Sequence, residues 1–351
     1  MRCNKLFCCF IYILLFALMS SIPACAFSAQ SEINVLTWWG YLDHPKLIAE
    51  AEKKCGVAIS HDIYFSNEEF LRRWRGSEDD YDIIIFSETI YKTIMPYLPH
   101  INTSLWKESE DYHPVIRSHY LANHFPKNVV YFSHALTGFL WNKQLIQLSE
   151  SDTASSIFEK ARKHTVVIID DPAEIRQFLE DGYNQGNFLS VNQTDKFFNH
   201  LESIKKETKM YFTNNFSEVN NGSNTAFIYA WSGDAMNLLS HDKNNNFTFL
   251  LHPKLSHITS DLLAQTSKKP GAYCVAEYLT SKKTMSVTQN LYFYFSPYAN
   301  YQFVSDKNFR AAYVNFVKNL PLFPWLASVN MDTFSHLNVA WALTKIRMMK
   351  D

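Results

Sequence analysis

The chain has 351 residues, which is long enough for two domains with separate hydrophobic cores. Its 33 basic and 34 acidic residues nearly balance, with a formal net charge of −1. Nucleic acids and anionic membranes attract proteins through a surplus of positive charge, so this balance gives no reason to expect either as a partner.

The first residues are typical of an export signal. Arg2 and Lys5 provide a positively charged start, residues 6–19 are apolar and uncharged, and residues 24–26 (Ala-Cys-Ala) fit a small-x-small cleavage site. We therefore predict a signal peptide over residues 1–26, cleaved on export to the periplasm. An uncleaved anchor is the alternative, although the apolar run is shorter than the ~20 residues that a membrane span needs.

Four of the six cysteines lie in the predicted signal peptide, and Cys55 and Cys274 remain. One pair in a chain of this length is not a disulfide framework. We expect two buried free thiols, with a disulfide as the alternative if the two residues meet in the fold. No metal-ligand spacing involves these cysteines, and the sequence predicts neither a metal site nor a cofactor.

Residues 33–93 predict a βαβαβ unit. Its three strands are predicted over residues 33–37, 57–63 and 81–86. The last strand is a continuous apolar run, as in buried parallel strands. The first helix is predicted to have Asp43 as its N-cap and to end at Gly56, and the second opens at a capping box beginning with Ser66 and runs to Trp74.

The remaining chain continues the alternation of strands and helices. Further strands are predicted over residues 129–132, 137–142, 166–169 and 226–230. The last two are each followed by a helix, residues 212–224 are predicted to be loop, and residues 270–279 begin a mostly helical, aromatic C-terminal third.

Four groups of aromatic and polar residues follow directly after predicted strands: Trp38-Trp39-Gly40-Tyr41, Ser87, Asp171-Pro172-Ala173-Glu174 and Trp231-Ser232-Gly233-Asp234. Ligands of open α/β sheets bind beyond the carboxyl ends of the strands. Each group alone has a structural explanation, either core packing or helix capping. Together they predict a cleft of carboxylates and aromatic faces, which suits a ligand whose amines are separated by methylene groups.

Enzyme motifs are weak by comparison. The sequence has no P-loop, no HExxH, no G-x-S-x-G and no dinucleotide-binding glycine motif. A carboxylate-based hydrolase, in which two acidic residues act as acid and nucleophile, remains an alternative hypothesis.

From about residue 33 to residue 298 the chain resembles the periplasmic spermidine/putrescine-binding proteins of polyamine ABC importers. The resemblance depends on an ordered set of short pieces: Trp38-x-x-Tyr41, Ser66-Asn67-Glu68, Tyr81-Asp82-Ile83-Ile84-Ile85-x-Ser87, Thr137-Gly138-x-x-x-Asn142, Asp171-x-x-Glu174, Trp231-x-Gly233-Asp234, Pro253-Lys254 and Asp261.

The resemblance implies an α/β, two-lobed periplasmic-binding-protein fold of type II, with hinge-linked lobes that each contain a mixed sheet flanked by helices. Lobe 1 is expected over residues 30–138 plus 262–300, and lobe 2 over residues 139–261 plus 301–351. The expected ligand-binding residues are Trp38, Trp39, Tyr41 and Ser87 from lobe 1, Asp171, Glu174, Trp231 and Asp234 from lobe 2, and also Asp261 and Tyr294.

The sequence departs from the family pattern at several of these positions. Trp39 and Gly40 stand where the family tends to have a small hydroxyl residue and an acidic one. Leu255 replaces a glutamate that follows Pro-Lys in the family, and Thr89 replaces an aromatic residue found in some members. The departures concern the identity of the ligand more than the fold.

The function implied is that of a monomeric substrate-binding protein of an ABC transporter. It would bind putrescine or spermidine between the lobes, without a cofactor, and deliver it chemically unchanged to an inner-membrane permease. A periplasmic ligand-sensing protein for a membrane receptor is the alternative within the class of binding proteins.

Overall fold

The structure, a computed structural model, describes residues 31–179, 208–216, 219 and 224–349. The predicted signal peptide and its cleavage site lie outside these residues. No helix in the described ranges has both the length and the apolar composition that crossing a membrane requires.

Nine strands in the described ranges belong to one sheet. They are β1 (Glu32–Trp38), β2 (Ala58–Tyr64), β3 (Ile83–Ser87), β4 (Val129–Asn142), β5 (Thr165–Ile169), β6 (Lys209–Thr213), β7 (Thr225–Trp231), β8 (Phe247–Leu250) and β9 (Ile258–Gln265). The strand order is β2-β1-β3-β9-β4-β7-β5-β6, and β8 pairs with β4.

Helices flank this sheet. Those in the described ranges are α1 (Pro45–Cys55), α2 (Asn67–Trp74), α3 (Tyr91–Ile94), α4 (Pro114–Ala122), α5 (Ala154–Lys160), α6 (Pro172–Leu179), α7 (Ser232–Ser240), α8 (Pro270–Thr280), α9 (Lys282–Tyr292), α10 (Lys307–Asn319) and α11 (Met331–Met349). The parallel and antiparallel strand pairs confirm the predicted mixed α/β fold class.

The predicted βαβαβ unit is present, with β1 parallel to both β2 and β3. Gly56 ends α1 in the left-handed conformation, at φ 66°, and the Ser66 side chain accepts a hydrogen bond from the Glu69 amide at the start of α2. The prediction of Asp43 as N-cap is wrong, because α1 begins one residue later. His44 occupies the N-cap without a side-chain bond.

The two strands predicted over residues 129–132 and 137–142 are one continuous strand, β4. Ser133 and His134 interrupt the apolar run in the sequence, but the backbone remains extended and only the register shifts, between Tyr131 and Ser133. The first part of β4 pairs with β9, and the second part pairs with β7 and β8. This strand therefore joins the two halves of the sheet.

Two separate hydrophobic cores lie along the sheet. The first core contains the buried side chains of β1, β3, β9 and the first part of β4, together with Phe309, Tyr313 and Phe316 of α10. The second core contains those of β5, β7 and the second part of β4, together with Trp341 of α11. The division of the chain into two lobes at the stated boundaries stays a prediction.

Cys55 at the end of α1 and Cys274 in α8 form a disulfide, so the expectation of two free thiols is wrong. The two helices pack side by side, although the cysteines are 219 residues apart in the chain. Gly271 lets the start of α8 lie close to β1 and to the residue after the Gly56 turn, because a Cβ atom there would lie 2.7 Å from Val57 Cγ1 and 3.1 Å from Ile33 Cδ1. The alternative that the sequence left open is the correct one.

Candidate functional site

A cavity of about 290 Å³ is lined by residues from both cores, around the ends of β1, β3, β5 and β7. All ten residues predicted to bind ligand line it: Trp38, Trp39, Tyr41, Ser87, Asp171, Glu174, Trp231, Asp234, Asp261 and Tyr294. The structure thus brings together residues that are spread over more than 250 positions of the sequence, from Trp38 to Tyr294. Their contact with a ligand stays a prediction.

The aromatic wall of the cavity follows β1. Gly40 has a φ of 91°, a conformation that favours glycine and that turns the chain directly after the two tryptophans. The Trp38 ring packs 4.6 Å from the ring of Tyr64 beneath it. Trp39 stacks on Phe65 at 6.2 Å, and these two rings stay 39% and 42% exposed, so they form an apolar rim.

Asp261 is positioned by two neighbouring strands. On β9 it lies opposite Ser87 of β3 and opposite Ser133 of β4. The Tyr41 hydroxyl donates a short hydrogen bond to Asp261 Oδ2, and Ser133 Oγ donates to the same oxygen at 3.0 Å. Burial raises the pKa of Asp261 to about 6, although these two hydrogen bonds oppose the rise. The Trp38 indole N–H also lowers this pKa, although Trp38 Nε1 forms no hydrogen bond with a described residue.

Asp234 is the third residue of α7, directly after β7. Within the described residues no side chain forms a hydrogen bond or an ion pair with its carboxylate. Burial raises the pKa of Asp234 to about 7, and its own backbone N–H opposes the rise. Gly233 lets the start of α7 lie close to the backbone of Tyr292, because a Cβ atom there would lie 3.1 Å from the Tyr292 carbonyl oxygen.

Glu174 is held on both of its oxygens. Trp231 Nε1 donates to Oε1 at 2.9 Å, and His257 Nε2 forms a very short contact with Oε2. Thr137 Oγ1 lies 3.1 Å from His257 Nδ1 and also accepts the His257 backbone N–H. With the hydroxyl proton donated to Nδ1, the imidazole N–H at Nε2 faces the carboxylate. His257 therefore supplies Glu174 with an internal partner.

Sequence reasoning missed His257. It lies just before β9, outside every short piece that supports the resemblance, and it is completely buried. The available signal was indirect: a glutamate expected to be buried requires a partner, and a histidine is one of the few side chains that can supply it.

Asp171 has a capping role and a place in the cavity wall. Its Oδ1 accepts the amides of Ala173 and Glu174 at 2.8 and 3.2 Å, as the predicted capping of α6 requires. Its Oδ2 accepts a hydrogen bond from Asn67 Nδ2 at 3.2 Å. Burial, and then the neighbouring charge of Glu174, raise the pKa of Asp171 above its usual range.

Ser87 and Tyr294 line the cavity with their polar groups engaged elsewhere. Ser87 Oγ accepts the Thr89 amide at 3.3 Å. The Tyr294 hydroxyl pairs with Thr288 Oγ1 at 2.6 Å, and its ring meets the Tyr41 ring edge-on at 5.9 Å. Tyr294 thus supports the orientation of Tyr41, which donates to Asp261.

No protein-family model and no curated protein matches the sequence. The structure, however, is similar to the spermidine/putrescine ABC transporter substrate-binding protein PotD from Streptococcus pneumoniae, in complex with calcium and HEPES. The TM-score is 0.71 at 15% identity, over 91% of this chain and 99% of that chain. The Tp0655 (TpPotD) lipoprotein of Treponema pallidum gives a TM-score of 0.74 at 13% identity, over 90% and 99% of the two chains.

Similarity of the same kind extends to a protein that binds a sugar. Maltose-bound MalE3 of T. maritima gives a TM-score of 0.66 at 13% identity, over 90% of this chain and 93% of that chain. At these identities the comparisons concern the fold alone. They confirm the fold expected from the resemblance, which is that of the substrate-binding proteins of ABC transporters.

Proposed function

We propose that this protein is the substrate-binding protein of an ABC importer and that its ligand is a linear polyamine, putrescine or spermidine. One observation carries the proposal. The cavity wall contains four carboxylates, and none of the described residues that line it is a lysine, arginine or histidine. A cavity of this composition favours a cation.

Three of these carboxylates have no cationic partner among the described residues of the wall. Glu174 already has His257, which lies behind it. Burial raises the pKa values of Asp171, Asp234 and Asp261, which means that their charged forms are destabilised in the ligand-free protein. An ammonium group would stabilise those charged forms through charge-assisted hydrogen bonds.

The rings between the carboxylates suit the rest of a polyamine. The ring faces of Trp38, Tyr41 and Trp231 can pack on methylene groups. The same faces attract ammonium groups, and each cation–π contact contributes about 0.5–2 kcal/mol. A neutral sugar, such as the maltose bound by MalE3, would leave the carboxylates buried without counter-charge, which is costly. The composition of the cavity therefore favours an amine over a sugar.

We also propose that the protein acts in the periplasm. Export to the periplasm, through the predicted signal peptide, agrees with the Cys55–Cys274 disulfide, because disulfides persist in oxidising compartments. The protein would act as a monomer, deliver its ligand to an inner-membrane permease and perform no chemistry on it.

The engagement of both Glu174 oxygens argues against a hydrolase that uses this residue as acid or nucleophile. A receptor-linked sensor would bind the same ligand, and adjacent permease and ATPase genes would favour transport.

Calorimetric titration of the protein from residue 27 onwards tests the proposal. The panel contains putrescine, cadaverine, spermidine, arginine and maltose. We expect saturable binding of at least one linear polyamine and weaker binding of arginine and maltose. Binding of maltose, or of no amine in the panel, would contradict the proposal.

A further inference from the structure

Asn67 has a buried hydrogen-bond acceptor that the protein does not use. It is the first residue of α2, it lines the cavity, and only 4% of its surface is exposed. Its Nδ2 donates to Asp171 Oδ2, but its Oδ1 accepts no hydrogen bond from the described part of the chain. Buried carbonyl oxygens are nearly always paired, and an unpaired one costs about 1–3 kcal/mol.

When Asp171 is ionised, as it would be beside an ammonium group, its contact with Asn67 determines which end of the amide is unpaired. If the amide were rotated by 180°, Asn67 Oδ1 would face Asp171 Oδ2, and two acceptors would oppose each other whenever the acid is ionised. An ionised Asp171 therefore keeps Nδ2 on the carboxylate and leaves Oδ1 as the acceptor. The unpaired Oδ1 of Asn67, on a residue of the cavity wall, can therefore accept a hydrogen bond from a donor that enters the cavity.

The ligand is the natural source of that donor. An ammonium group carries three N–H donors and needs several acceptors when it leaves water. Asp171 Oδ2 and Asn67 Oδ1 provide two acceptors joined through one amide, so they can be met by adjacent N–H bonds of one nitrogen. This pair is separate from the group formed by Asp261, Tyr41 and Ser133.

We infer that Asn67 is a further ligand-binding residue, whose Oδ1 accepts a hydrogen bond from an ammonium group that also pairs with Asp171. The inference rests on the proposed function and adds a residue to the predicted set. Asn67 belongs to α2 on the first core, whereas Asp171 precedes α6 on the second, so one nitrogen would contact both sides of the cavity. The subsite selects for nitrogen that carries hydrogen.

The first test compares Asn67→Ala with the wild type in putrescine titrations. A hydrogen bond to a charged group predicts a loss of affinity of about tenfold or more. Asn128→Ala is the matched control. Asn128 is also fully buried, with Nδ2 engaged by Pro99 and Gln265 and Oδ1 unpaired in the described chain, but it is not part of the cavity wall. Its affinity for putrescine should equal that of the wild type.

The second test leaves the protein unchanged and alters the ligand. Putrescine with both ends trimethylated keeps its two charges but has no N–H, and it should bind the wild type at least tenfold more weakly than putrescine. In Asn67→Ala this ratio should shrink, because one acceptor has already been removed.

The outcomes separate the two proposals. If the wild type binds putrescine and Asn67→Ala binds it equally well, the assignment of Asn67 is wrong and the proposed function stands. If Asn67→Ala does not fold, equal binding of putrescine and its trimethylated form by the wild type overturns the assignment, and a tenfold loss supports it. If the wild type binds no amine, the proposed function fails and the assignment fails with it.

Discussion

Replacing Asp234 by asparagine should make the ligand-free protein more stable and its ligand affinity weaker. Burial raises the pKa of this carboxyl group from 3.8 to about 7. At 1.36 kcal/mol per pH unit, a shift of this size corresponds to about 4 kcal/mol. Since solvent reaches part of the residue, we expect the charged form to cost about 2–4 kcal/mol of folding free energy. The uncharged amide avoids this cost.

The destabilisation caused by Asp234 depends on pH. An acid whose pKa is higher in the folded state binds more protons folded than unfolded, so stability falls as pH rises from about 4 to about 7. On going from pH 4 to pH 8 the wild type should lose about 2–4 kcal/mol more stability than Asp234→Asn, which lacks this carboxyl group but keeps the raised pKa values of Asp171 and Asp261. Urea denaturation without ligand at pH 5 and pH 8 measures the difference, which should be largest at pH 8.

Binding should change in the opposite direction. Removing the counter-charge of a desolvated ammonium costs about 2–5 kcal/mol, so polyamine affinity should fall at least tenfold. Asp152→Asn is the control, because Asp152 pairs with Lys160 at 2.6 Å outside the cavity and its pKa is lowered. That variant should bind normally and be no more stable than the wild type. An Asp234→Asn protein that is less stable at pH 8, or that binds like the wild type, would refute the reasoning.

Three further predictions concern pH, the disulfide and Trp231. Burial raises the pKa values of Asp234 and Asp261 to about 7 and 6, so polyamine affinity should rise between pH 5 and pH 8. Binding at pH 6.5 should also release protons, which calorimetry in two buffers of different ionisation enthalpy detects, and equal heats would contradict this. Replacing Cys55 and Cys274 together by alanine should lower the free energy of unfolding by about 2–4 kcal/mol without changing ligand affinity. If the disulfide is present, titration of thiols in the mature protein, unfolded without a reducing agent, should find no free thiol. Trp231→Ala should reduce the free energy of ligand binding by more than it reduces the free energy of unfolding, and it should reduce the fluorescence change on ligand addition. A lower melting temperature with unchanged affinity would show that this ring belongs to the core.

The elements that sequence reasoning placed correctly depend on local signals. The apolar run before Ser87, the Ser66 cap and the left-handed Gly56 each act within one turn or one strand of their own position. The βαβαβ unit follows from such signals, because parallel neighbours need a crossover helix between them. The groups after β1 and β3 could likewise be predicted to lie together, as could those after β5 and β7, since the carboxyl ends of parallel neighbours meet at one edge of a sheet. The two pairs of strands run in opposite directions, and their ends meet at the middle of β4, where Ser133 lies opposite Asp261 and Thr137 opposite Trp231.

The features that sequence reasoning missed depend on distant partners. Strand β9 was not predicted, although its pairing with β3 and β4 is what sets Asp261 opposite Ser87 and Ser133. The Cys55–Cys274 disulfide depends on helices that become neighbours only in the folded chain. No periodicity or spacing in the sequence encodes these contacts.

The carboxylates of the cavity show the same division between local and distant causes. The sequence does not distinguish Glu174 from Asp234, because each is the third residue of a helix that follows a buried strand. In the fold Glu174 meets His257, which lies 83 residues away, while no side chain in the described part of the chain pairs with Asp234. The two acids therefore differ: Glu174 holds the Trp231 ring, whereas burial destabilises the charged form of Asp234, which under the proposed function a ligand cation would stabilise. Sequence pattern predicts which acids line the cavity, and tertiary contacts decide which of them have a partner within the described chain.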